Sequence, residues 1–237
     1  MTATVALLIA IAIPSLRQAR LYADSASDLA DLRTHAEVLT MYTSDSGGAF
    51  PNFIDPKFGI GPIPGSSMTS VPYFAQSQFW AIPLLAGYYE RADVLGEVFY
   101  LRSAERDLEG GTLGHNPSYV YGATFLAFPA FWNPETRTAP PAQLGAVRID
   151  QVRYSSRKAL VDVIASNGRM NESGEGRGSR VLAAFVDGSA ASFPLGETEP
   201  GYFDGTGSWE PWGTGRYPGT RLAYTIDGVH GFDVKAR

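Results

Sequence analysis

The sequence predicts an α+β protein in which a long N-terminal α-helix packs on an antiparallel β-sheet. Three observations lead there. Apolar residues recur at three- and four-residue steps over 29–39, short apolar runs separated by Gly and Pro fill the second half of the chain, and Asp187-Gly188 joins two of those runs. The 237 residues are 44% hydrophobic and 12% aromatic, with 26 Gly and 16 Pro, a composition that fits a folded, loop-rich body better than a disordered or coiled-coil chain. Residues 1–45 are read as an N-terminal helical unit and 46–237 as a β-rich globular domain.

From Thr2 to Ile13 the chain carries no charge; Pro14, Leu16, Arg17 and Arg20 follow. The run is shorter than the ~20 residues that cross a bilayer core. Val5, Leu7, Leu8, Ile9, Ile11 and Ile13 leave no polar side to this segment, which suits lipid or tight helix bundling better than a one-sided core. Three readings compete. A cleaved secretory signal has Ala10-Ile11-Ala12 as a small-residue site but lacks a basic n-region; a buried core helix is the second; the C-terminal half of a membrane helix that starts upstream of Met1 is the third. The third makes Val5 to Ile13, with Pro14, the membrane-inserting and assembly residues.

Beyond Pro14 the pattern becomes amphipathic. Leu29, Leu32, Ala36 and Leu39 share a face, and Asp24, Asp28, Asp31 and Arg33 stand between them, so the helix is expected to run to about Ser44. Asp45-Ser46-Gly47-Gly48 should end it, because Gly accepts the left-handed backbone of a C-terminal cap. At 1.5 Å per residue such a helix would be roughly 60 Å long, more than a domain of this size needs, and would want partners along its length.

Residues 46–76 are rich in Pro and Gly and read as a wrapped loop. Gln78 to Glu90 reads as a short helix interrupted near Pro83. Strands are expected over 98–101, 119–128, 147–152, 159–163, 181–186, 189–193 and 221–234, the last with an internal turn. Asp187-Gly188 predicts a type I′ hairpin, and Asp227-Gly228 repeats the device.

Composition excludes several function classes. A net charge of −5 leaves no basic footprint for nucleic acid, and the absence of Cys excludes disulfides, thiolate metal sites and a cysteine nucleophile. His35, His115 and His230 have no i, i+4 pairing around zinc, so structural or solvent-facing roles are expected. Ser155-Ser156-Arg157-Lys158 has the Ser-x-x-Lys spacing without companion motifs, and reads as a basic loop before a strand. Gly174 to Gly178 precedes a strand rather than opening a helix, so it reads as a loop and not a phosphate cradle. The chain is therefore expected not to be an enzyme. No organic cofactor is expected, and the one metal candidate is calcium on Asp204 and Glu210, in a turn of hydroxyls and free carbonyls. Trp209, Trp212 and Tyr217 lie in an aromatic tail over 202–224 that either caps the sheet or forms a partner or sugar platform.

The run VALLIAIAIPSLRQAR, the polar helix after it, and the passage Tyr42, Asp45, Gly48, Phe50, Pro51 resemble the N-terminal region of bacterial type IV pilin-like proteins and type II secretion pseudopilins. Residues 118–122, 152–163 and 181–193 are similar to further blocks of the same family, whose signature is His, nine residues, then Asp-Gly. Here Arg177 stands in the place of the His, and the block at 98–103 lacks the relatives' Cys. The resemblance implies a pilin-like fold and a non-enzymatic structural subunit anchored in the bacterial inner membrane, its globular domain periplasmic or extracellular, in a surface filament or a secretion pseudopilus. Its implied partners are the membrane, like subunits through the N-terminal helix, and the assembly machinery. The family's basic leader, cleavage site, Phe and Glu would lie before Met1. Arg17 and Arg20 would by themselves place the domain in the cytoplasm, and the resemblance implies the opposite side. The alternative is a secreted carbohydrate-binding or adhesive module whose N-terminus is a cleaved signal.

Overall fold

The computed structural model describes residues 2–89, 119–163, 180–202 and 221–236; within the first helix it describes the side chains of 12–16, 19, 22, 23 and 25–45. The chain is α+β. Its first helix, α1, is Thr2–Asp45. Side chains of α1 enter the core from Asp28 onward: Leu32, Ala36 and Leu39 are fully buried, and Val38 nearly so. These are the positions of the amphipathic repeat, and they lay α1 against one face of the main sheet.

Helix α1 stops where the glycines allow it. Gly47 has φ +64° and Gly48 φ +90°, and the Gly48 N–H donates to the Thr43 carbonyl at 2.7 Å while Gly47 donates to Ser44 at 3.3 Å. That pair of bonds is a Schellman cap, which satisfies carbonyls the helix end would otherwise leave open. The chain then pairs at once with a distant segment. Ile149 donates to the Gly48 carbonyl at 2.8 Å and Phe50 to the Val147 carbonyl at 2.9 Å, around a bridge between Ala49 and Arg148.

Residues 46–76 are more ordered than a plain loop. Strands β1 (Ile60–Gly61) and β2 (Val71–Pro72) pair antiparallel, and a 3-10 helix over Tyr73–Gln78 follows. Gln76 anchors this strap from inside, its Oε1 accepting from the Phe53 N–H at 2.7 Å and the Ile54 N–H at 3.3 Å. The region predicted as an interrupted helix at 78–90 is a 3-10 turn at Ile82–Leu84 followed by α2 (Leu85–Tyr88). Pro83 lies within that turn, where a missing N–H costs nothing.

The main sheet is a four-stranded antiparallel meander among the described residues: β3 (Tyr119–Tyr121), β4 (Ala159–Val163), β5 (Arg180–Phe185) and β6 (Ala190–Pro194), in that order. Ala159 faces Phe185 while Val161 faces Ala184, so Leu160 is an extra residue, a bulge, between them. One face of the sheet carries Tyr121, Val161, Val163 and Ala184 into the core shared with α1. The other carries Ala159, Val181, Ala183, Phe185 and Phe193, covered by Leu222 and Val234.

Four sequence expectations are corrected. The predicted strand at 119–128 ends at Tyr121, because Gly122 turns the chain into a 3-10 helix at Ala123–Phe125. Residues 147–152 form a single bridge and a 3-10 turn at Ile149–Gln151 rather than a strand. Residues 221–234 make isolated bridges, Gly201 with Thr225 and Thr198 with Val234, instead of a hairpin. Asp227 (φ +62°) and Gly228 (φ +57°) do take left-handed backbone, but the chain continues into a 3-10 turn at Gly228–His230. The fourth is the turn type at Asp187-Gly188: only Gly188 has positive φ, +83°, and it donates to the Phe185 carbonyl at 2.9 Å. The connection from β5 to β6 is thus a tight turn closed by a left-handed glycine, the bulged alternative to type I′. Asp187 stays at negative φ because its carboxylate accepts from the Ser189 N–H at 3.0 Å and hydroxyl at 2.6 Å. The strand expected at 98–101 lies outside the described residues.

Candidate functional site: the helix surface and a buried polar cluster

The backbone of Val5, Leu7, Leu8, Ile9, Ile11, Ile13 and Pro14 lies within α1, with Pro14 inside the helix. On either side of Pro14, large apolar side chains described on α1 are strongly exposed: Ile13 at 60%, Leu16 at 69% and Tyr22 at 68%. From Leu32 onward the same helix buries Leu32, Ala36, Val38 and Leu39, although Met41 is 54% exposed. Among the described residues no helix is long and apolar enough to cross a membrane by itself.

Where α1 leaves the surface, aromatic rings fix its end. Tyr42 meets Phe53 and Tyr88 edge to face, with centroids 6.4 and 5.7 Å apart, and Tyr88 donates its hydroxyl to Asp45 at 3.1 Å. Phe50 is buried and packs on Phe125 at 4.5 Å. The residues Tyr42, Asp45, Gly48, Phe50 and Pro51 therefore have a joint mechanical task, ending the helix and seating its end in the body.

His35 is neither solvent-facing nor a metal ligand in a cluster. It is buried, its Nδ1 lies 3.0 Å from the Tyr89 hydroxyl, and its ring sits edge to face with Trp80 at 5.4 Å and Tyr119 at 4.6 Å. Burial pushes its pKa down from 6.5 to about 3, so it is neutral at physiological pH. Among the described residues no three His, Asp or Glu side chains gather as a metal site. The calcium candidates Asp204 and Glu210 lie outside the described residues. So do Trp209, Trp212 and Tyr217, His115, residues 174–178 and Arg177. The two ends of the aromatic tail that are described, Tyr202 and Tyr224, are buried and pack on Trp132 at 6.1 and 6.0 Å.

Lys158 is the residue that sequence reasoning placed wrongly. It is not part of a surface loop: it is fully buried, and its Nζ donates to Thr225 Oγ1 at 2.5 Å and to Asp233 Oδ1 at 3.2 Å. Ser155 is exposed and takes no part. The Thr225 hydroxyl also donates to Asp233 Oδ1, and the Ala159 N–H donates to Asp233 Oδ2 at 2.8 Å. Burial pulls Lys158 below the usual lysine value against the attraction of Asp233, and burial pushes Asp233 up against the opposing pull of Lys158 and its hydrogen bonds. Asp162, buried on β4, is pushed by burial and then by the charge of Asp233 from 3.8 up to about 8. The only sequence signal for this cluster was a charged residue directly preceding a fully apolar strand start, and another lodged between Phe232 and Val234.

No family model matches the chain, and neither a curated protein nor a solved structure is detectably similar to it.

Proposed function

We propose that this protein is a non-enzymatic, pilin-like structural subunit: a membrane-inserted N-terminal helix carries an extracytoplasmic α+β domain and packs against the same helix of neighbouring subunits. The observation that carries this reading is the division of α1. Its later part is sewn into the core through Leu32, Ala36 and Leu39, while Ile13, Leu16 and Tyr22 present large apolar side chains to the outside. Exposed apolar surface on a helix is costly in water and is useful against lipid or a like helix. Pro14 fits the same role, since a proline inside a helix is best tolerated where neighbours or lipid-embedded packing compensate for its lost hydrogen bond. The sequence from Thr2 to Ile13 carries no charge. In this reading the bacterial inner membrane is the site of insertion, and the assembly is a surface filament or a secretion pseudopilus.

The test uses the protein expressed from its own locus with its own upstream sequence. It should float with membranes through a density gradient and resist carbonate extraction. Recovery in the soluble fraction with Met1 as the intact N-terminus would overturn the reading. Substituting both Ile13→Asp and Leu16→Asp should release the protein from membranes or abolish helix-to-helix cross-linking. Because both positions are exposed, stability of the body should change by less than about 0.5 kcal/mol.

A further inference from the structure

We propose that Lys158 and Asp233 condense into an intramolecular amide bond, with the Thr225 hydroxyl that touches both groups carrying the proton. This inference is independent of the assembly reading, since none of its residues lies on α1. Three features of the site converge on it. The amine and the carboxyl are both excluded from water and already in contact, Nζ lying 3.2 Å from Oδ1 of the carboxyl that it would attack. The Thr225 hydroxyl accepts from Nζ and donates to the same Oδ1, forming a continuous path from the nucleophile to the oxygen that must leave. The Ala159 N–H holds Oδ2 at 2.8 Å, where negative charge develops when nitrogen adds to the carbonyl.

The protonation states fit the chemistry. Amide formation needs a neutral amine and a neutral acid, and burial drives both groups that way. Asp162, a second buried carboxyl, is raised by burial and then by the charge of Asp233. The step balances without any co-reactant. The Nζ lone pair adds to Cγ, and the C–N bond forms. One proton passes from nitrogen through Thr225 Oγ to Oδ1, which already carries the proton of the neutral acid; the C–Oδ1 bond breaks and Oδ1 departs with both as one water, and nothing is oxidised or reduced. Condensation leaves an uncharged amide in a site where desolvation penalises either ion, its oxygen still held by the Ala159 N–H and its nitrogen beside the Thr225 hydroxyl. In a chain without cysteine it would tie the 229–235 segment to the start of β4 as a disulfide cannot.

The experiment is intact-mass spectrometry of the purified full chain under denaturing conditions, followed by proteolytic mapping. The expected result is a mass lower than the sequence by one water, with a branched peptide that joins Lys158 to Asp233. Thr225→Val keeps the size of the side chain and removes the relay; it should fold, by circular dichroism, and lose at least tenfold of the linked fraction. Full sequence mass, with Lys158 labelled by an amine reagent after denaturation, overturns the proposal. A one-water deficit mapped instead to Asp187-Gly188 or Asp227-Gly228 is backbone succinimide, and overturns it equally. Undiminished linkage in Thr225→Val overturns the assignment of the proton path.

Discussion

Buried ionisable side chains give this protein two opposing pH dependences. His35 has a folded pKa near 3 against an ordinary value of 6.5, so the native state binds fewer protons than the unfolded chain between those values; its contribution is present above pH 6.5 and is lost as pH falls toward 3. Asp162 has the opposite sign. Its folded value of about 8 lies above the ordinary 3.8, so its contribution is complete at low pH and is lost as pH rises through 8. Each group acts at about 1.4 kcal/mol per pH unit at most, and the two cancel where their windows overlap. Between pH 6.5 and 8 only Asp162 acts of the two, so urea midpoints of the native chain should fall with pH, and Asp162→Asn should flatten that fall. His35→Phe keeps a ring against Trp80 and Tyr119, and should make the acid-side loss shallower. Gly228 is a different kind of constraint. A Cβ there would lie 2.5 Å from Trp132 Cδ1 on a backbone already at φ +57°, so Gly228→Ala should cost about 2–4 kcal/mol by thermal melting, strain and overpacking together. Its sequence signal, an Asp-Gly pair, pointed to left-handed backbone but could not show that an indole ring lies against it.

The hairpin from β5 to β6 shows how far local chemistry reaches. Gly188 has φ +83° and nothing within 4 Å of an added Cβ, so Gly188→Ala should cost about 1 kcal/mol, the backbone share alone, and well under the loss at Gly228. Leu39→Ala removes a side chain at the centre of the seam between α1 and the sheet, and should cost ~2–5 kcal/mol in denaturant unfolding. Both elements were legible in the sequence, because hydrophobic spacing on 29–39 is periodic and Asp187-Gly188 is a turn dipeptide set between two short apolar runs. The bounds of β4 were legible for the same reason. Segments 147–152 and 221–234 were not. Their apolar residues, such as Val147, Leu222 and Val229, are buried by 3-10 turns and isolated bridges, and burial without period 2 looks like a strand when only hydrophobicity is counted. The Lys158 cluster left two isolated charges in apolar surroundings as its signal, but not their pairing, since Thr225 and Asp233 reach Lys158 from 67 and 75 residues away along the chain.

At the scale of the molecule, two cores lie on opposite faces of one sheet. The larger joins α1, the 46–88 strap and β3 to β5; the smaller is closed by 222 and 234. Such a layered arrangement lets the helix and the C-terminal segment each dock on a finished sheet. The C-terminal segment is held by backbone pairing with the chain around it: Glu199 donates to the Asp233 carbonyl at 2.8 Å, Lys235 to Glu197 at 2.8 Å and Asp233 to Arg157 at 2.9 Å. The Arg157 guanidinium lies 3.9 Å from the centroid of Phe232. The Schellman stop after Asp45 has a mechanical corollary. Tension applied to the forward part of α1 would meet first the interlocked side chains at 32, 36 and 39, which must slide past the sheet together, and only then the two backbone hydrogen bonds at Gly48 and Phe50, which can open one after another. A molecule loaded from that end would yield abruptly, as a latch does, rather than by gradual peeling.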